Sequence, residues 1–361
     1  MKIDQVKNMI THANLNNVIV KVIILEILRV KLEMKVILSR KGFDSTFGGY
    51  PSPILPNGTL VSIPIPSMNY SSSLYPKDQT PQWETLNNEN YHPLSYSDLL
   101  LPLSAKQYLE SVNVQLTTYR DLLGQILPQG ILKQNKEKYP EEYVWTCHFD
   151  PDIEPSVLKR HFDWRGLFGQ ADTAELHLRN NQIGKNDLFL FFGWFRKTIL
   201  KNNKLEYDPN DKNGVHLIYG YLQIDYKLSK NHNQDKVQSW MNYHPHFRSK
   251  LWNEEHNTVY VAKERLSWND KIPGAGMLNY SPELVLTETT KINNPRGNRT
   301  FWKYDLFPED LQITYHRPDS HCIKTNDQGS TQKYFKSAAR GQEFIISQTS
   351  PIIDWVYSLI S

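Results

Sequence analysis

An unbroken apolar run at residues 187–195, Asp-Leu-Phe-Leu-Phe-Phe-Gly-Trp-Phe, restricts this chain more than any other feature. A run of that length without polar alternation reads as a strand covered on both faces. Residues 215–226 form a second apolar run, and the polar connection between the two holds Asn202, Asn203, Asn210 and Asn213. Two such strands joined by a polar loop are expected to pair antiparallel. Further strands are expected at 258–262, at 144–149 and within the short run 60–65. Period-two alternation sets Leu28, Val30, Leu32, Met34 and Val36 against Arg29, Lys31, Glu33 and Lys35, and it predicts another.

Helical spacing is confined to a few places. Leu99, Leu103, Leu109, Leu122 and Ile126 suggest one or two helices over 97–127. Asp152 or Ser156 is placed to cap a short helix. Trp355 and Leu359 predict a docked helix at 352–360. With no internal repeat or long linker, the expectation is α+β: a single elaborated domain with a mainly antiparallel sheet and flanking helices. Residues 1–33, Asn- and Lys-rich before turning to Ile, Val and Leu, read as an N-terminal extension of a domain spanning 34–361. Met34 is an alternative start.

Composition removes several function classes. A net charge of +3 over 361 residues is too small for a broadly basic nucleic-acid binder, so any such surface must be local. Two cysteines, Cys147 and Cys322, supply no disulfide framework and suit a reducing compartment. Each neighbours a histidine (His148 and His321), but adjacent side chains on a strand face opposite ways, so no metal site is assigned. The most apolar stretch, 18–38, is interrupted by Lys21, Glu26, Arg29, Lys31, Glu33 and Lys35. That excludes a helical membrane span and a secretory signal there, and a cytoplasmic location is expected.

Candidate functional residues fall into separate clusters. Ser39, Arg40, Lys41 and Asp44 stand at the end of a predicted strand, followed by Gly42, Gly48 and Gly49. Glycine lets backbone approach a phosphate and the two cations neutralise it; the ordinary alternative is a tight turn. His148 and Asp150, two apart on a strand, share a face and suit proton transfer, although a simple hydrogen-bonded pair has the same spacing. His244-Pro245-His246 could ligate metal, but the intervening proline favours a loop with ordinary surface histidines. Arg340, just before Gly341-Gln342-Glu343, could clamp a phosphate or belong to a salt-bridged turn. No serine-hydrolase elbow, zinc-protease helix, deaminase signature or dinucleotide loop is present.

Several of these segments together carry a resemblance: Met-Lys-Val-Ile-Leu-Ser-Arg-Lys-Gly-Phe-Asp-Ser at 34–45, Pro-Ser-Pro-Ile-Leu-Pro-Asn-Gly-Thr at 51–59, His-Phe-Asp-Pro-Asp at 148–152, the turn Gly184-Lys185-Asn186-Asp187 and Arg-Gly-Gln-Glu-Phe at 340–344. The chain resembles the nucleotide-modification-associated domain 3 family over about residues 34–360. Its strand pattern is also similar to that of PUA-like β-barrels, whose aromatic walls suit a flipped base. The family resemblance implies a role in DNA base modification in bacteria or phages, with DNA or a modified nucleotide as partner, and other proteins of a modification operon beside it. It leaves the reaction and any cofactor open. Three readings stand side by side: a protein that binds a modified or flipped base or nucleotide; an enzyme using His148 and Asp150 with Arg40 and Lys41 on phosphate; and a structural adaptor in a modification or defence operon.

Overall fold

The computed structural model describes residues 34–67, 94–129, 131, 146–291, 293–294, 296–306, 313–314, 322–325, 333–337, 343–346 and 350–361. The expected strand at 28–36 therefore lies outside the described residues except for its last three positions. Arg340 also lies outside them.

The fold is α+β, a single domain built on a ten-stranded mixed sheet with flanking helices. Its strands are β1 (Val36–Arg40), β2 (Ser52–Ile54), β3 (Leu167–Ala171), β4 (Leu188–Lys201), β5 (Lys204–Tyr207), β6 (Val215–Leu228), β7 (Asn257–Ala262), β8 (Ala275–Met277), β9 (Ile313–Thr314) and β10 (Glu343–Ile346). The main path runs β9-β10-β1-β4-β6-β7-β3, with β8 on β6 and with β2 and β5 on β4. β4 and β6 pair antiparallel, from Leu188 opposite Gln223 to Phe195 opposite Val215. β1 and β2 instead run parallel to β4, so the sheet is mainly but not wholly antiparallel.

The polar connection expected between the two long strands is shorter than its composition suggests. β4 continues to Lys201, and Asn202 and Asn203, both at positive φ (51° and 57°), turn the chain into β5. A two-residue turn of this hand matches the twist of the strands it joins, and asparagine tolerates it.

Burial on both faces explains the unbroken apolar run of β4. Phe189 and Phe191 meet Phe168 at ring-centroid distances of 4.7 and 5.1 Å, while on the opposite face Phe192 meets Trp302 at 5.1 Å. These rings are core rather than the walls of a base pocket.

Among the described residues, the helices that flank the sheet include α1 (Leu103–Ser111), α2 (Tyr119–Ile126), α3 (Asp172–Asn180) and α4 (Ser350–Leu359). Thr118 and Asp121 form a capping box at the start of α2, which buries Tyr119, Leu122, Leu123 and Ile126. α4 forms as expected but buries Ile352, Ile353 and Val356, while Trp355 and Leu359, whose spacing predicts it, are half-buried. The short helix after residue 149 is a 3₁₀ turn, Pro155–Val157, headed by Glu154 rather than by Asp152 or Ser156. Asp152 is drawn away by Arg160, which grips both its oxygens (2.7 and 2.5 Å). Among the described residues of the expected strands at 144–149 and 60–65, strand pairing is confined to Cys147–His148 with Ile65–Pro66, beside isolated bridges at Thr146 and Leu60. Pro64 and Pro66 lack the N–H that longer pairing needs. No helix among the described residues is long and apolar enough to cross a membrane.

α3 brings an acid into this core. Glu175 is buried, accepts a hydrogen bond from the Tyr260 hydroxyl (2.8 Å), and burial pushes its pKa from 4.5 up to about 7. A carboxyl whose folded pKa is raised binds more protons folded than unfolded between those values, so stability is lost as pH rises from 4.5 to about 7. Glu175→Gln is expected to remove this loss and to stabilise the protein at pH 8, relative to pH 5, by about 1–3 kcal/mol. Denaturant melts of both proteins at the two pH values check this; parallel pH profiles would contradict it.

Candidate active site

The end of β1 begins the site. Gly42, at φ +84°, turns the chain there, and an added Cβ would meet Ser62 Oγ at 3.0 Å and Ile63 O at 3.2 Å. Lys41, just before it, reaches between two acids: its Nζ lies 3.6 Å from Glu343 Oε1 and 4.0 Å from Asp150 Oδ2, and 4.5 Å above the Phe168 ring. Glu343 comes from β10, which pairs with β1 so that Glu343 lies opposite Ser39. Its Oε1 accepts from Ser39 Oγ (3.1 Å) and from Gln170 Nε2. Its Oε2 is buried without a hydrogen-bond partner, and burial raises the pKa of the group.

Asp150 is the hub of the arrangement. Its Oδ1 accepts from the Gly169 N–H (2.8 Å) and lies 3.1 Å from His244 Nε2. Its Oδ2 lies 4.0 Å from His148 Nε2 and 3.9 Å from His246 Nε2. Burial opposes the charge on Asp150, but the His244 contact and the Lys41 charge outweigh it and hold the carboxyl well below the usual range. Burial also keeps the imidazoles neutral, pushing His148 down to about 4 and the deeper His246 down to about 3. At neutral pH one carboxylate thus faces two neutral rings. His148 Nε2, Asp150 Oδ2 and His246 Nε2 are the atoms here that could hold a metal; one ligand atom from each residue falls within 4.8 Å of the others.

A cleft of about 440 Å³ opens onto this cluster, lined among others by Arg40, Asp44, Gln170 and Thr173. Arg40 pairs with Asp44 at 3.4 Å, and Asp44 Oδ1 also accepts from the backbone N–H groups of Thr46 and Phe47 (2.6 and 2.7 Å). The first turn of α3 forms part of the cleft wall.

Residues singled out from sequence therefore occupy different places. Arg40, Lys41, Asp44, His148 and Asp150 line one cleft. Ser39 is fully buried and reaches the cluster only through Glu343. His244 and His246 are corrections: His246 lies in a 3₁₀ turn, Pro245–Phe247, with His244 at its head, and both are buried rather than on the surface. Glu343 likewise lies in a strand, not in a turn. Cys147 packs away from the cleft, with its Sγ 3.5 Å from Leu94 O, as alternation beside His148 requires. Gly169 had no sequence signal of its own. An added Cβ there would lie 2.1 Å from His246 Cδ2, so glycine is what lets the ring pack against β3.

The family model described as nucleotide modification associated domain 3 matches residues 35–347. The chain belongs to this family. No curated protein and no solved structure matches it. The matched span of the nucleotide modification associated domain contains every cleft residue named above, from Arg40 to His246, together with Glu343 behind it.

Proposed function

We propose that this protein is an enzyme of a DNA base-modification system, acting in the cytoplasm on a nucleotide or on a base turned out of a DNA strand. In this reading residues 34–361 are the working domain and 1–33 an extension. The observation that carries it is the meeting of Asp150 with three imidazoles and the Lys41 ammonium at the wall of an open cleft. Gathering ionisable groups out of water is costly, and such clusters concentrate where protons or electrophiles are handled. His148, neutral and 30% exposed on its side chain, presents an imidazole lone pair to the cleft beside the Asp150 carboxylate, where it can take a proton or hold an electrophile. Arg40 supplies positive charge for a phosphate at the rim.

A protein that only binds a base would need rings on which to stack it, and Phe189, Phe191, Phe192 and Phe195 of β4 are committed to the core. That favours turnover over binding alone, with the nucleic-acid ligand retained as substrate.

Arg40→Ala tests the phosphate assignment. Affinity for a DNA oligonucleotide or a deoxynucleotide, measured by fluorescence anisotropy or calorimetry, is expected to fall similarly whatever the base. For the oligonucleotide, the slope of log affinity against log salt should drop by about 1 if one phosphate contact is lost. Lys41→Ala should behave alike, with an added stability loss because Glu343 and Asp150 lose their cation. Unchanged affinity and slope in both variants would remove phosphate from this part of the cleft.

A further inference from the structure

We propose that a divalent first-row transition-metal ion binds between Asp150 Oδ2, His148 Nε2 and His246 Nε2. This deepens the reading of the cleft as an active centre, yet metal stoichiometry is measured without substrate, so the two can fail separately.

The first argument is the orientation of His246. Asn257 Nδ2 donates to the His246 carbonyl (3.0 Å), which turns Asn257 Oδ1 toward His246 Nδ1 at 2.7 Å. An amide oxygen only accepts, so Nδ1 carries the ring proton and Nε2 of the neutral ring carries the lone pair. That lone pair meets a carboxylate oxygen 3.9 Å away. Two electron-rich atoms facing each other repel unless a cation lies between them. An outer amide that fixes the tautomer of an inward-facing imidazole is the arrangement metal-ligating histidines require.

Spacing is the second argument. Nε2 of His148 and Nε2 of His246 lie 4.0 and 3.9 Å from Asp150 Oδ2, too far for direct hydrogen bonds. Two donors each about 2.1 Å from one ion are separated by about 3–4.2 Å, depending on the angle between them. Asp150 Oδ1 is meanwhile occupied by the Gly169 N–H and by His244, which leaves Oδ2 as the oxygen presented to the two rings.

The third argument answers an objection. Lys41 Nζ, 4.0 Å from the same Oδ2, would oppose a cation there. Its other neighbour is Glu343, whose Oε2 is buried with no hydrogen-bond partner. That oxygen is an acceptor toward which Lys41 can shift when an ion takes the place beside Asp150. Two imidazoles and one carboxylate suit Fe(II), Mn(II) or Zn(II), and the remaining coordination positions face the cleft.

The test uses the full-length protein, stripped with a chelator and titrated with Zn(II), Mn(II) and, anaerobically, Fe(II). Calorimetry and elemental analysis by plasma mass spectrometry are expected to give one ion per chain for at least one metal. Asp150→Asn and His148→Ala should each weaken its affinity at least about tenfold. His148 is part-exposed, so its variant keeps the fold and the comparison stays interpretable. Circular dichroism of both variants checks this. The proposal is overturned if no metal binds stoichiometrically at submillimolar concentration, or if both variants bind it as tightly as the wild type. Metal binding without any nucleotide affinity would support this inference and count against the proposed substrate.

Discussion

Asp150→Asn is expected to lower turnover by about 10²–10⁴ while leaving nucleic-acid affinity within about twofold. The amide is nearly isosteric, and its oxygen can still accept from the Gly169 N–H. It removes the charge that Lys41, His148 and His246 face, so proton transfer and any electrophile held there lose their counter-charge. Arg40 pairs with Asp44 rather than with Asp150, so the phosphate contact proposed for it does not depend on that carboxylate. The informative comparison is binding by anisotropy beside single-turnover rates for the same preparation. A variant that loses base discrimination but has no turnover to lose would instead mark a binding protein.

Gly169→Ala carries the second large effect. The new methyl would lie 2.1 Å from His246 Cδ2 and 2.2 Å from Cγ, far inside contact distance, and β3 is held on β7 by a continuous ladder. The ring must therefore move, breaking its contact with Asn257 and leaving Asp150. Overpacking of this kind costs about 1–3 kcal/mol, and the catalytic loss should approach that of Asp150→Asn. Denaturant midpoints and rates measure both. His246→Ala added to Gly169→Ala should recover part of the stability but none of the rate, because the clash is then gone and the imidazole with it. Full activity in Gly169→Ala would show that His246 is dispensable.

Much of the sheet was legible because burial on both faces leaves a plain trace. The apolar runs at 187–195 and 215–226 became β4 and β6 in antiparallel register. The ends of these strands were less legible, since Thr198, Lys201 and Lys204 carry no apolar signal and the hairpin depends on the left-handed backbone of Asn202 and Asn203. The site divides along the same line. Arg40, Lys41, His148 and Asp150 stood out because each sits beside other chemistry in sequence. His246 reads from sequence as a possible metal ligand but is set among surface histidines, and Glu343 only as a neighbour of Arg340, because their partners are distant in the chain: Asp150 and Lys41 meet them only once β1, β10 and the 3₁₀ turn Pro245–Phe247 are assembled. Proline between two histidines argues rightly against a strand, but it says nothing of the 3₁₀ turn or of its burial. The PUA-like strand pattern implies aromatic walls for a base, whereas Phe189, Phe191, Phe192 and Phe195 of β4 are core, with Phe192 packed on Trp302.

The central claim is that this cleft performs chemistry on nucleotides, and it is tested most directly by nucleoside mass spectrometry. DNA and the soluble nucleotide pool from bacterial cells expressing the wild-type chain, Asp150→Asn or neither would be digested and compared. The account predicts a nucleoside of altered mass or abundance with the wild type alone, absent or strongly reduced with Asp150→Asn at equal expression. The same change with both proteins, or indistinguishable profiles in all three cultures, would contradict it.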